Sequence, residues 1–177
     1  MLALKWILAV ALLTSVCVCT TFAQMAKQSA LTVGVRQYTD HPDDSSTPFG
    51  KGDLSYLLAY EYHEGSAFWQ CGLSYTPHAT STSMVSQVES VVTPQLRLVF
   101  EENLLVLGVG VLKHYVRQND VAHWSDLYWE VEAGLHASLS STVDARAMAF
   151  YTFKKWGDLG DFDTSEVEFG LDLAYRF

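Results

Sequence analysis

The chain has 177 residues, and its 20 acidic against 11 basic side chains give a formal net charge of -9, a surface that repels nucleic acid. Hydrophobic residues make up 49% of it, yet after Ala23 no apolar run reaches the 18 residues of a spanning helix. Any membrane crossing must then be made by a closed sheet, because only helices and closed sheets satisfy their backbone groups in lipid.

The first segment, residues 1–23, carries Lys5, an apolar run from Trp6 to Val18, and small residues leading to Thr21-Phe22-Ala23. It reads as a secretory signal peptide cleaved after Ala23. Thirteen apolar residues are too few for an anchor that spans a bilayer. Cys17 and Cys19 follow valines rather than the small residue a lipoprotein site requires. Cleavage leaves residues 24–177 as one domain of net charge -10 whose sole cysteine is Cys71, so no intrachain disulfide forms.

Strands are expected at 29–38, 53–63, 66–76, 88–100, 104–116, 125–137, 142–154 and 165–177, each bounded by Gly, Pro, Asn, Asp or Ser. The connections have lengths 14, 2, 11, 3, 8, 4 and 10, so long and short alternate. A meander of hairpins through a membrane produces this pattern, with short periplasmic turns and longer outer loops. The expected fold is a closed, all-β, eight-stranded antiparallel up-and-down barrel. Both termini lie in the periplasm, and 39–52, 77–87, 117–124 and 155–164 lie at the cell surface.

Most strands separate two faces. The second sets Leu54, Tyr56, Leu58, Tyr60 and Tyr62 on one side, and the third sets Ala67, Trp69, Cys71, Leu73 and Tyr75. In the fifth, Leu105, Leu107, Val109 and Val111 back onto Gly108 and Gly110. In the sixth, Leu127, Trp129, Val131, Ala133, Leu135 and Ala137 oppose Asp126, Tyr128, Glu130, Glu132 and His136, and the seventh sets Ala145, Ala147, Ala149, Tyr151 and Phe153 against Asp144, Arg146 and Lys154. Only the fourth is untidy: Val91 and Val92 are adjacent and Pro94 cannot donate to a ladder, which predicts a bulge or weak pairing there.

The final strand alternates from Ser165 to the terminal Phe177. Val167, Phe169, Leu171, Leu173, Tyr175 and Phe177 share one face, and Glu166, Glu168, Asp172 and Arg176 the other. This segment resembles the closing strand of bacterial outer-membrane barrels. The whole of 24–177 resembles the small eight-stranded members, the OmpX-like proteins and the OmpA transmembrane domain. The resemblance implies a Gram-negative outer membrane, contact with its lipid and lipopolysaccharide, and an assembly signal in Phe169, Leu171, Leu173, Tyr175 and Phe177 that the barrel-assembly machinery reads.

Alternation alone does not say which face points outward, and a soluble lipocalin-like ligand-binding barrel carries the same pattern inverted. Aromatics near the strand ends, with Leu, Val and Ala between them, favour a lipid belt between interfacial girdles. Arg36, Glu61, Arg97, Glu130, Glu132, Asp144, Arg146, Glu168, Asp172 and Arg176 then point into an interior only wide enough for side chains. The expectation is a salt-bridged plug, with a narrow ion- or proton-conducting path as the alternative use of the same residues.

The motifs give little support to catalysis. Lipid A deacylases pair His-x-Ser with a glutamate about a dozen residues on. After His123-Trp124-Ser125 the glutamates Glu130 and Glu132 come too early, and after His136-Ala137-Ser138 the next is Glu166. The palmitoyltransferase class adds an amphipathic helix before the first strand, where only Gln24 to Gln28 stand here. The acidic run from Asp158 to Glu166 lacks EF-hand spacing, and Asp40, Asp43 and Asp44 could meet divalent cations bridging lipopolysaccharide. No cofactor motif is present. The sequence favours a non-enzymatic surface barrel whose loops serve envelope integrity or adhesion, with a lipid A-modifying enzyme as the alternative.

Overall fold

The computed structural model describes residues 28–39, 47–80, 88–119 and 121–177. The expected signal peptide and the Asp40, Asp43 and Asp44 cation contacts lie outside the described residues.

Eight strands follow one another around a closed barrel: β1 Gln28–Gln37, β2 Leu54–Glu64, β3 Ala67–Pro77, β4 Val88–Glu102, β5 Leu105–Gln118, β6 Val121–Ser138, β7 Val143–Phe153 and β8 Glu168–Arg176. Every neighbouring pair is antiparallel, and β1 closes the ring on β8 from Ala30↔Arg176 to Gln37↔Phe169. Gly65 and Asn103, at φ +68° and +53°, take the left-handed conformation in two of the short turns. We refer to this side as the turn end and to the opposite side as the loop end.

The greasy face is outside. Leu107 is 53% and Leu171 63% exposed, while Glu61 and Glu130, on the opposite parity, are 0% and 1% exposed. A lipocalin-like barrel would enclose the leucines, and the soluble alternative falls on this observation. Among the described residues no helix is long and apolar enough to cross a membrane.

The crowded interior is made possible by small residues facing large ones. A Cβ on Gly34 would lie 2.0 Å from Asp172 Oδ1, and one on Gly108 would lie 2.3 Å from Glu132 Oε1. Gly170 abuts the Phe150 ring, where a Cβ would come to 2.9 Å of Cε2.

Three expectations change. The expected loop 117–124 is mostly strand: Tyr115–Gln118 pairs with Val121–Trp124. A register shift between Lys113 and Tyr115 moves the outward parity of β6 by one residue, so a single alternation could not be followed past Ser125. The last strand begins at Glu168, not Ser165, because Thr164–Glu166 forms a 3₁₀ turn capped by Asp163. Tyr151 and Phe153 keep outward parity but are buried, covered by Phe162 and Trp156 of the folded-back 155–166 segment, with ring centroids 4.7 and 5.3 Å away.

In β4 the irregularity divides in two. Pro94 pairs with Leu73 of β3, while neither it nor Thr93 has a ladder partner on β5, whose register nevertheless continues unchanged from Val92 to Gln95. The shift itself lies nearer the loop end, between Val88 and Ser90.

Candidate functional site

The interior holds two layers of charge. In the one nearer the loop end, Arg36 pairs with both Glu130 and Glu168 and donates to Thr152 Oγ1 at 3.0 Å. Arg97 meets Glu130 at 2.8 Å and Glu132 at 3.5 Å, and donates to the side-chain carbonyls of Gln70 and Gln95 at 3.0 and 3.1 Å.

In the layer at the turn end, Glu61 receives both terminal nitrogens of Arg146, at 2.6 and 3.1 Å, and the Thr32 hydroxyl at 2.5 Å. His63 Nε2 lies 2.8 Å from the same carboxylate. Arg146 Nε also reaches Glu101 at 3.1 Å, and Arg176 joins Glu101 at 3.2 Å to Asp144 at 2.5 Å.

An apolar diaphragm of Phe68, Val99, Val106, Met148 and Phe150 is buried with these charges. The guanidiniums lie on its rings: Arg36 and Arg97 are 4.3 and 4.9 Å from the Phe150 centroid, and Arg146 is 4.6 Å from that of Phe68. Gln70 spans the two layers, accepting from Arg97 and donating to Glu61 Oε1 at 2.9 Å. An amide joins the layers by hydrogen bonds but offers no exchangeable acid to hand a proton on.

Of the ten interior residues expected from sequence, nine are buried, and the Arg176 side chain is 27% exposed at the turn-end rim. Asp172 occupies the space left by Gly34. Sequence reading missed Gln70, Glu101, Thr32 and the two phenylalanines. Gln70 had a signal, since it has inward parity and stands in register with both Glu61 and Arg97. Of the five closing-strand residues, Phe169, Leu171, Leu173, Tyr175 and Phe177 all turn outward and are exposed.

An aromatic stack lies inside the loop end. Phe49 lies flat on Tyr38, centroids 3.7 Å apart, and edge-on to His114 at 4.9 Å. Asp53 clasps the two loops over it, accepting from Gly50 N at 2.8 Å, Thr80 N at 2.7 Å and Thr80 Oγ1 at 2.7 Å.

Neither His-x-Ser pair forms a relay. A hydrolase triad sets the serine on one imidazole nitrogen and the acid on the other. Here Ser138 and Asp144 share His136 Nε2, at 3.4 and 3.0 Å, while Nδ1 lies 3.1 Å from the Asn103 carbonyl. Ser125 Oγ donates to the Asp126 carbonyl at 2.7 Å and accepts from His114 N at 2.9 Å. In the acidic segment, Asp158 and Asp163 accept from the backbone of Lys155 and Ser165, at 2.9 and 2.8 Å. The bond from Ser165 N–H holds the Asp163 carboxyl below its ordinary range.

No protein-family model matches the chain, and no curated protein sequence matches it. Solved structures do. The neisserial surface protein NspA aligns over 88% of this chain and 100% of its own at TM-score 0.54 and 8% identity. The N-terminal β-barrel domain of Pseudomonas aeruginosa OprF aligns over 85% and 97% at TM-score 0.51 and 12% identity. Ail, the attachment invasion locus protein of Yersinia pestis, crystallised with the heparin analogue sucrose octasulfate, aligns over 86% and 100% at TM-score 0.50 and 18% identity. At such identities the likeness is one of fold: the chain has the closed eight-stranded transmembrane architecture of small outer-membrane barrels.

Proposed function

We propose that the protein is a non-enzymatic integral outer-membrane barrel with a closed interior, exported by a signal peptide cleaved after Ala23. In this reading the loop end faces outward and serves envelope integrity or adhesion. The observation that carries it is the inside-out distribution of side chains, leucines on the wall and paired charges in the lumen. An interior cut by Phe68 and Phe150 and capped by Phe49 is a plug rather than a path. The outer wall meets membrane lipid and lipopolysaccharide, and the exposed Phe169, Leu171, Leu173, Tyr175 and Phe177 form the edge offered to the barrel-assembly machinery. That Ail is named for attachment adds weight to surface contact as the role tested first.

The test combines three measurements. Folded protein in detergent migrates faster on a gel before boiling than after, planar bilayers holding it show no conductance steps, and lipid A mass spectra are the same with and without the gene. Conductance would restore the conduit, and altered lipid A would restore the enzyme.

A further inference from the structure

The outer face of β7 is almost bare. Ala145, Ala147 and Ala149 share its outward parity, and β6 sets Ala137 and Ala133 beside the first and last of them. On the other flank β8 places Leu173, Leu171 and Phe169 against the same three alanines, and these stand out 48%, 63% and 61% exposed. The outcome is a trough along β7, walled by β8 on one side and by Leu135 of β6 on the other. Two cavities of about 680 and 550 Å³ open into the wall here, and they adjoin at Ala147 and Leu171.

The trough has two ends. Toward the loop end, Tyr151 follows Ala149 in outward parity and lies under Phe162, centroids 4.7 Å apart. Toward the turn end the groove reaches Leu104 of the β4–β5 turn. Val143 to Ala149 runs about 20 Å at about 3.4 Å per residue. A strand tilted about 40° descends about 15 Å over that length, half of a hydrocarbon core about 30 Å thick. The groove has the depth of one leaflet, the one on the turn side.

Its mouth carries charge. The Arg176 N–H donates to the Thr142 carbonyl at 2.8 Å, which sets that residue beside the uncharged 139–142 turn. Its half-buried side chain meets Glu101 with Nη2 and Asp144 with Nε, and Nη1 has no partner among the described residues. On the β4–β5 turn, two residues before Leu104, stands the exposed Glu102. An unengaged guanidinium N–H and an exposed carboxylate complement a phosphate and an ammonium.

We propose that this trough holds one acyl chain of a zwitterionic phospholipid of the periplasmic leaflet, with its phosphate on Arg176 and its ammonium toward Glu102. The proposal rests on the reading above that the turn end faces the periplasm. A lipid tail gains no hydrophobic energy by leaving other tails. Contact with side chains on three sides holds it, together with the charged mouth. A second copy fits worse. β6 and β8 each lie about 4.8 Å from β7, a gap that admits a polymethylene chain, whereas a facing barrel would rest on Leu171 and Phe169 without reaching the alanines. A chain of lipopolysaccharide, in the outer leaflet, would have to enter beneath Phe162.

The test is native mass spectrometry of the full chain, refolded in detergent with equal amounts of palmitoyl-oleoyl phosphatidylethanolamine, the matching diacylglycerol and lipid A. One phosphatidylethanolamine should stay on the barrel at collision energies that strip the other two. Ala147→Leu fills the trough and should lower the retained fraction about tenfold. Cys71→Leu, the same kind of growth on the exposed outer face of β3, should leave it unchanged. Arg176→Gln should erase the preference over diacylglycerol, and if that variant does not fold, Ala147→Leu decides alone. Retention unchanged by Ala147→Leu, preferential retention of lipid A, or dimers that Ala147→Leu dissolves would each overturn the proposal. Loss of heat-modifiable migration in the unsubstituted protein would instead refute the barrel reading itself, so the two failures are distinguishable.

Discussion

Arg146 grips Glu61 with both of its terminal nitrogens, at 2.6 and 3.1 Å, across the turn-end layer of the barrel interior. The pair is buried on both sides, so removing Glu61 leaves the Arg146 guanidinium with Glu101 as its remaining carboxylate partner. Glu61→Ala is expected to destabilise the barrel by about 3 kcal/mol, the low end for a broken buried pair because Glu101 still holds Arg146. Glu61→Ala with Arg146→Met should recover most of that loss. Denaturant unfolding in detergent, read by tryptophan fluorescence, measures both.

Gly170 lets Phe150 lie against the β8 backbone. Gly170→Ala places a Cβ 2.9 Å from the ring and 3.0 Å from the Val35 carbonyl, and overpacking of this kind costs about 1 to 3 kcal/mol. Gly157→Ala meets nothing within 4 Å and serves as the neutral control in the same unfolding assay.

Asp53 holds two loops by three hydrogen bonds. Asp53→Ala is expected to speed amide exchange at Gly50 and Thr80 and to expose the 47–53 segment to added protease, leaving the gel shift of the barrel intact. Each lost bond to a charged acceptor is worth about 1.5 to 3 kcal/mol, so losing the clasp should loosen both loops measurably.

The Asp163 carboxyl titrates low because the Ser165 N–H donates to its ionised form. A depressed folded value stabilises the 3₁₀ turn above the unfolded pKa of about 3.9, and that contribution is lost as pH falls through the folded value. Carboxyl NMR should show Asp163 protonating at lower pH than a free aspartate, and Ser165→Pro, which has no N–H, should return it to the ordinary range.

Period-two alternation carried most of the architecture because a membrane barrel separates its faces more sharply than a soluble sheet does. Parity put the leucines of β5 and the carboxylates of β6 on opposite faces, and the aromatics near the strand ends said which face was outside. Reading failed where parity itself broke. One inserted residue near Ser125 turned a strand into an apparent loop, and a folded-back segment buried Tyr151 and Phe153 although their parity pointed to lipid. Gln70 escaped notice for a different reason. A search for formal charges passes over an amide, although its register beside Glu61 and Arg97 made it the connector.

The recess at Gly34 gives the closing seam a key. In the native alignment Asp172 of β8 stands opposite Gly34 of β1, and Gly170 opposite Arg36. Slide β8 along by two residues, which keeps every side chain on its proper face, and Gly34 would confront Gly170 with a void between them, while Asp172 would be driven against Thr32. Parity alone would permit that slip. The small-against-large fit forbids it, so the two ends of the chain can be stitched together in one alignment.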